Sequence, residues 1–199
     1  MNVGNTCYLN SCLQLLRGAR ELDQWLRSNP VPPDNYGFKG LVSDISDLMR
    51  WLSKDTVKPV KFVTNFLSMA PEFGPLGEQQ DADECWQKLT GFFYFFITVR
   101  DEKLNKEVNL IDRLFEIEYF DTVGCPDLPD EKPTENISST RRLSCIIGGN
   151  PDVKINTLTE GITAYLNDTV TKKSPTDGKD HIYKRVSKLN NLPPYLIVQ

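Results

Sequence analysis

The residue best suited to do chemistry in this sequence is the cysteine at position 7, Cys7. A polar turn at residues 4–5 runs directly into an apolar stretch in which Leu9, Leu13 and Leu16 recur at helical spacing. That spacing places the three leucines on one face of a helix. The pattern therefore predicts a helix that starts close to Cys7.

Thr6 suits the N-cap position, which would put Cys7 in the first helical turn. Backbone N–H groups without helical partners and the positive end of the helix dipole favour an anion there. A thiolate stabilised in this way is a good nucleophile. The alternative is that Cys7 is a small apolar residue at the start of a helix, since most cysteines are buried and unreactive.

The composition excludes several classes of protein. The 199 residues are 25% charged and 39% apolar, as in ordinary globular domains. The net charge of −4 and the lack of a basic stripe with interleaved aromatics argue against nucleic-acid binding. No apolar run is as long as a membrane span of about 18 residues. Without a secretory leader, the five cysteines are expected to be reduced, in the cytoplasm or the nucleus.

Helical periodicity dominates the first half of the chain. It predicts two helices within residues 6–27, one over residues 41–52, one that starts at Pro59, and a long apolar one through residues 85–96. The last helix carries five consecutive aromatic residues at 92–96. We therefore expect it to be buried nearly all round.

Alternation of apolar and polar residues replaces this period near residue 110. It predicts strands at residues 115–119, 143–147 and 181–189 and a short buried strand at 195–198. Three further segments are predicted as an exposed tip, a short helix and a turn, at residues 125–139, 158–167 and 174–180. The predicted fold class is α+β.

Two stretches resemble the sequence boxes of the ubiquitin-specific proteases. Residues 2–10, Asn-Val-Gly-Asn-Thr-Cys-Tyr-Leu-Asn, resemble the family's cysteine box, which reads closely to Asn-x-Gly-Asn-Thr-Cys-Tyr-Met-Asn. Residues 79–86, Gln-Gln-Asp-Ala-Asp-Glu-Cys-Trp, resemble its Gln-Gln-Asp-Ala box. The Glu-Cys-Trp ending is similar to the proteasome-associated branch of the family, as are residues 143–145 and 192–196.

The resemblance implies a papain-like ubiquitin-specific protease fold. Residues 1–110 would be the helical thumb, and residues 111–199 the antiparallel β fingers with the first palm strands. The similarity covers essentially the whole chain but only about the first half of the family's catalytic domain. The C-terminal palm is therefore expected to be missing.

The resemblance also assigns roles to individual residues. Cys7 would be the nucleophile and Asn2 the oxyanion-stabilising asparagine. Gln80 and Asp81 would line the channel that receives the extended tail of ubiquitin, with the acid facing a basic residue of the tail. The residues leave alternatives open: Asn2 can be a turn residue at a frayed terminus, and Asp81 and Asp83 can cap the helix that follows.

A cysteine protease also needs a base, and His181 is the single histidine of the sequence. In the family the catalytic histidine belongs to a Gly-His-Tyr-type motif followed by an Asp or Asn, and neither motif occurs before Gln199. A lone histidine in a charged strand is usually a solvated surface residue, so a Cys7–His181 dyad is the less favoured alternative. We expect the chain alone to be catalytically incomplete.

The implied function is that of a fragment of a deubiquitinating cysteine protease, which hydrolyses isopeptide and peptide bonds after the C-terminal glycine of ubiquitin. The expected partners are ubiquitin and ubiquitinated proteins, with the proteasome as a candidate, and neither nucleic acid nor membrane. No cofactor is expected, and no structural zinc, because Cys125 and Cys145 stand alone where other members carry two Cys-x-x-Cys pairs. The alternatives are a non-catalytic ubiquitin-binding or scaffold short form and a disabled folding unit with open sheet edges.

Overall fold

The computed structural model describes residues 4–29, 37–52, 54–55, 57–102, 105–148 and 154–199. Asn2 lies outside these residues. The chain forms two compact units, residues 1–111 and 112–199. The described residues combine helices with antiparallel sheets, so the α+β prediction is confirmed.

The first unit is mainly helical. Its helices are α1 (Cys7–Gly18), α2 (Arg20–Ser28), α3 (Phe38–Leu52), α4 (Val60–Met69) and α5 (Ala82–Tyr94), with a short 3-10 helix at Pro71–Phe73. The predicted inner face of α1 is confirmed, because Leu9, Leu13 and Leu16 are all buried. The unit closes with an antiparallel hairpin that the sequence patterns did not predict, β1 (Thr98–Asp101) and β2 (Lys106–Asn109).

The aromatic run at the end of α5 is not buried all round. Phe93 is fully buried, but Tyr94 is 37% exposed and Phe95 is 76% exposed. The helix ends at Tyr94, and the N–H groups of Phe96 and Ile97 both donate to the carbonyl of Phe93. The chain therefore turns out of the helix in the middle of the run, and the helical period no longer decides which rings face inward.

The second unit is built on one antiparallel sheet. Helix α6 (Leu110–Phe115) spans the boundary between the units, and β3 (Ile117–Gly124), β4 (Thr134–Thr140), α7 (Leu158–Leu166), β5 (Asn167–Lys173) and β6 (Asp180–Asn191) follow. The strand order is β4-β3-β6-β5. Ile117, Tyr119 and Leu143 form a buried cluster, and α7 packs partly buried apolar side chains against it.

Four expectations for this unit are wrong. Phe115 ends a helix instead of starting a strand, and β4 occupies part of the predicted tip at residues 125–139 because it pairs with β3 along its length. Residues 143–147 form no strand beyond an isolated parallel bridge between Leu143 and Val198. The 195–198 segment is not a buried strand, since Leu196 is 44% exposed.

Among the residues that the structure describes, no helix has both the length and the apolar character needed to cross a bilayer.

Candidate active site

Cys7 is presented by a left-handed turn. Gly4 has φ of +86° and Asn5 has φ of +38°. Glycine adopts this region freely, and asparagine enters it more easily than most residues. The turn delivers Cys7 as the first residue of α1, with its thiol exposed and not in a disulfide.

The first turn of α1 suits a negative charge. The helical ladder begins with the N–H of Asn10, which donates to the carbonyl of Thr6 at 2.9 Å, so the amides of residues 7–9 precede it. Thr6 occupies the N-cap position as predicted, but its side chain makes no capping hydrogen bond. The first turn also contains no acidic residue. The amides and the helix dipole can therefore act on a thiolate or an oxyanion without a competing carboxylate.

The start of α1 is fastened to the segment that leads into α5. The side-chain amide of Asn5 donates to the carbonyl of Gly77 at 2.5 Å, and the thiol of Cys12 donates to the carbonyl of Ala82 at 3.3 Å. The ring of Tyr8 stacks on Phe73 with centroids 6.0 Å apart. Residues 79–81 lie between Gly77 and Ala82, whose carbonyls accept these two hydrogen bonds, so they run beside the first turns of α1.

This arrangement brings three of the predicted site residues into one region of the first unit. Gln80 is half-buried and Asp81 is exposed. Asp81 is also the N-cap of α5: its Oδ1 accepts hydrogen bonds from the N–H groups of Asp83 at 2.7 Å and Glu84 at 3.3 Å. The capping role foreseen for Asp81 is therefore present, and it leaves the second carboxylate oxygen outside the cap.

The other two cysteines of this region are unsuited to nucleophilic chemistry. Cys12 and Cys85 are both buried, and a hydrogen bond with Cys12 together with burial raises the pKa of the Cys85 thiol. Burial and the neighbouring thiols also raise the pKa of Tyr8, mostly through burial. Cys7 alone among these three sulfurs is open to a substrate.

The comparison with known proteins decides the family. A family model described as ubiquitin carboxyl-terminal hydrolase matches residues 1–199. The chain belongs to the ubiquitin carboxyl-terminal hydrolase family. One similar protein is ubiquitin carboxyl-terminal hydrolase 6 of Schizosaccharomyces pombe. It is 28% identical over 206 residues, and the match covers 100% of this chain and 40% of that protein. Ubiquitin carboxyl-terminal hydrolase 6 of Arabidopsis thaliana is 29% identical over 212 residues, and the match covers 100% of this chain and 42% of that protein.

A third relative, ubiquitin carboxyl-terminal hydrolase 14 of Caenorhabditis elegans, is 26% identical over 204 residues and covers 99% of this chain and 39% of that protein. The chain thus spans about two fifths of the length of these curated relatives. The family resemblance drawn from the two boxes is confirmed. The roles of Cys7, Asn2, Gln80 and Asp81 within this hydrolase family stay predictions.

His181 belongs to the second unit and has its own partner. Its Nε2 lies 2.9 Å from Oδ2 of Asp177, and its side chain is only 19% exposed. Hydrogen bonds from the N–H of Lys179 and from His181 lower the pKa of Asp177. His181 is thus more enclosed than the solvated surface residue that we expected.

The sequence patterns did not indicate which residues connect the cysteine box with the Gln-Gln-Asp-Ala box. Asn5 was recognised as part of a motif, but its contact with Gly77 joins residues 72 positions apart. Phe73, which stacks on Tyr8, lies in the short 3-10 helix at Pro71–Phe73, for which no sequence pattern was identified. The one sequence signal for these contacts was that both boxes belong to a single family pattern.

Proposed function

We propose that this chain carries the nucleophile-bearing portion of a thiol-dependent deubiquitinating protease. Cys7 attacks the carbonyl carbon of the C-terminal glycine of ubiquitin, and Asn2 donates to the oxyanion. Gln80 and Asp81 line the channel for the ubiquitin tail. The observation that supports the proposal best is the exposed Cys7 at a helix start that is hydrogen-bonded to Gly77 and Ala82, on either side of the Gln-Gln-Asp segment.

The first step of the reaction needs what this region offers. The thiolate forms a bond to the carbonyl carbon, and the developing oxyanion needs N–H donors close by. Amides of the α1 first turn are such donors, and we propose the carboxamide of Asn2 as a further one. Protonation of the leaving amine needs a general acid, which the family takes from a Gly-His-Tyr-type motif that these 199 residues do not contain. The chain alone is therefore expected to bind ubiquitin and to present a thiolate, but not to expel the amine of a peptide or isopeptide substrate efficiently.

The test is labelling by ubiquitin whose C-terminal glycine is replaced by a thiol-directed electrophile. We expect one covalent adduct per chain, located at Cys7 by peptide mapping, and its loss in Cys7→Ala. The matched control is Cys145→Ser, which removes a partly exposed thiol of the second unit and should label like the wild type. Adduct formation that survives Cys7→Ala would show that the nucleophile is assigned wrongly.

The same probe separates the protease fragment from the non-catalytic alternative. A ubiquitin-binding scaffold would bind ubiquitin in a pull-down or by calorimetry but leave Cys7 unlabelled. A further assay adds, in trans, the part of the S. pombe relative that lies beyond its matched region. Hydrolysis of a fluorogenic ubiquitin amide should be near background for the chain alone and rise with the added portion, again only when Cys7 is present.

The proposal extends to setting and partners. Ubiquitin and ubiquitinated proteins are the substrates, and the proteasome is a candidate partner because Glu84-Cys85-Trp86 resembles the proteasome-associated branch. The place of action is then the cytoplasm or the nucleus. This part is tested by co-purification of the tagged chain with proteasomes. The comparison is a variant in which Gln80 and Asp81, the proposed channel residues, are replaced by alanine.

A further inference from the structure

Three side chains with metal-binding atoms meet at one end of the second unit's sheet. Cys125 follows directly after β3, Asp127 comes two residues later, and His181 is the second residue of β6. Their sulfur, carboxylate oxygen and ring nitrogen all lie within 4.8 Å of one another. The strand register explains the meeting, because Gly124 at the end of β3 pairs with Lys184 near the start of β6.

We propose that Cys125, Asp127 and His181 bind one zinc ion, with water as the fourth ligand. A thiolate, an imidazole and a carboxylate are all ligands that zinc accepts, whereas magnesium and calcium prefer oxygen alone. The thiolate and the carboxylate together carry two negative charges, which match the charge of Zn²⁺. Three protein ligands leave one position of a tetrahedral site open.

The distances require only a small adjustment. Zinc–ligand bonds of about 2.0–2.3 Å place the ligand atoms of a tetrahedral site about 3.5 Å apart. The three ligand atoms lie within 4.8 Å of one another, so side-chain rotations that move each atom by about 1 Å bring them to this spacing. Cys125 is buried, His181 is half-buried and Asp127 is exposed, so the ion and its water have a path from solvent.

A second carboxylate orients the histidine. Asp177 Oδ2 lies 2.9 Å from His181 Nε2. Carboxylates commonly hold metal-bound histidines in this way, because the contact fixes the orientation and tautomer of the ring. Asp177 is itself held by the N–H of Lys179, which donates to its Oδ1 at 2.9 Å. The partner of His181 is thus built into the turn between β5 and β6.

The loop that carries Cys125 and Asp127 is fixed against the same turn. Glu131 accepts hydrogen bonds from the hydroxyls of Ser174 at 2.6 Å, Thr176 at 2.9 Å and Tyr183 at 2.6 Å. These donors, Ser174 first among them, hold the pKa of Glu131 below its usual range. The segments that supply the three ligands are therefore aligned by contacts independent of any metal.

The donor set differs from the two Cys-x-x-Cys pairs considered in the sequence. The expectation of no structural zinc counted cysteines only, and Cys125 has no cysteine partner in the set. Its partners are Asp127 and His181, one of them 56 residues away in the chain. The ion would tie the loop after β3 to the β5–β6 hairpin, and this role does not depend on the chemistry of Cys7.

The experiment is metal titration of the full chain, in a Cys7→Ser background that removes the exposed thiol. We expect one Co²⁺ per chain with a thiolate-to-cobalt charge-transfer band, displacement of Co²⁺ by one equivalent of Zn²⁺, and a higher thermal midpoint with zinc. Cys125→Ser should abolish the band. Asp127→Asn and His181→Gln should each weaken zinc binding about 100-fold or more, and Asp177→Asn about tenfold, as expected for a residue that only orients a ligand.

Cys145→Ser is the matched control, since it removes another thiol of the same unit and should leave the band and the zinc affinity unchanged. Circular dichroism checks that each variant is folded. If Cys125→Ser unfolds the protein, the exposed Asp127 supplies the decisive variant. Absence of the cobalt band in the parent chain would overturn the proposal, and so would zinc affinity that survives both Asp127→Asn and His181→Gln.

Discussion

The starts of α1 and α5 lie close together and are built in opposite ways. At α5, the carboxylate of Asp81 accepts two backbone N–H groups, and Asp83 and Glu84 place further negative charge in the first turn. At α1, the N-cap residue Thr6 makes no side-chain capping bond, the first turn holds no acidic residue, and Cys7 stands exposed at its first position. The N-cap side chain thus accepts hydrogen bonds from the first N–H groups of α5, whereas the N-cap side chain of α1 makes no such bond.

The difference shows that the start of α5 is built for helix stability, whereas the start of α1 is suited to stabilising an anion. A filled N-terminus stabilises its helix by about 1 kcal/mol. An unfilled one forgoes that stability, and its N–H groups and dipole remain available to a thiolate or an oxyanion. The two helix starts are joined by the hydrogen bonds Asn5–Gly77 and Cys12–Ala82, so the capped start of α5 helps to position the start of α1.

Asp81 offers a first test with which to sharpen this comparison. Asp81→Ala removes the cap, so the free energy of unfolding should fall by about 1 kcal/mol, measured by urea denaturation. Asp81→Asn keeps a good capping oxygen and removes the charge, so stability should change by less than about 0.5 kcal/mol. If the charge faces the ubiquitin tail, both variants should slow labelling by the ubiquitin electrophile about three- to fivefold, the value of one exposed charge pair.

The two Asp81 variants separate cap from substrate contact because only one of them loses both. Wild-type labelling rates in Asp81→Asn, with a loss confined to Asp81→Ala, would assign Asp81 to helix stability alone. The channel role that the family pattern gives to it would then be wrong.

Asn5 tests the fastening between the two helix starts. Asn5→Gly keeps the left-handed backbone at φ +38° and removes the donor to Gly77. Loss of one hydrogen bond of about 1 kcal/mol should slow ubiquitin-electrophile labelling about fivefold, because Cys7 is then held less firmly beside the Gln-Gln-Asp segment. Iodoacetamide, which needs no such alignment, should react at an unchanged rate.

Asn5→Ala is the companion variant. It removes the same donor but keeps a Cβ, and alanine in the left-handed region costs about 1–2 kcal/mol more than glycine. Its unfolding free energy should therefore lie below that of Asn5→Gly. Equal labelling rates in the wild type and Asn5→Gly would show that the Gly77 contact does not position the thiol.

Local pattern predicted the helices of the first unit because each one buries a face with the helical period. The inner face of α1 and the capping role of Asp81 both follow from residues within one or two turns of each other. The hairpin β1–β2 and strand β4 were missed because their burial is weak: β4 is exposed along most of its length, and its position comes from pairing with β3. No alternation in the sequence marks such a strand.

The candidate site divides in the same way. Cys7 at a helix start could be predicted from local pattern, and its neighbourhood with residues 79–81 only from the family resemblance. The contacts that create that neighbourhood link Asn5 with Gly77, 72 residues apart, and Tyr8 with Phe73, 65 residues apart. The spacing rules for helices and strands do not reach such separations. The cluster of Cys125 and His181 was missed for the same reason, since strand register brings it together.

The smallest expected effect comes from filling the open helix start. Asn10→Asp adds a negative charge near the first turn of α1 without changing the size of the side chain. The helix dipole should make this variant slightly more stable, by about 0.3–1 kcal/mol, while the added charge opposes the thiolate. Alkylation of Cys7 by iodoacetamide should therefore slow about two- to threefold, measured by peptide mapping at low ionic strength.

Gln14→Glu is the matched control, because it makes the same chemical change one turn further along the exposed side of α1. Dipole effects fall off within the first turn, so this variant should leave alkylation near wild type. Its stability should rise by only about 0.2–0.5 kcal/mol, because the new carboxylate lies beside Arg17, whose Nη1 is 3.4 Å from Oε1 of Gln14. Salt should reduce the Asn10→Asp effect, since screening weakens interactions between exposed charges. Opposite signs for stability and reactivity in Asn10→Asp are what an N-terminus kept open for an anion requires; changes of the same sign would mean that the α1 dipole does not act on the Cys7 sulfur.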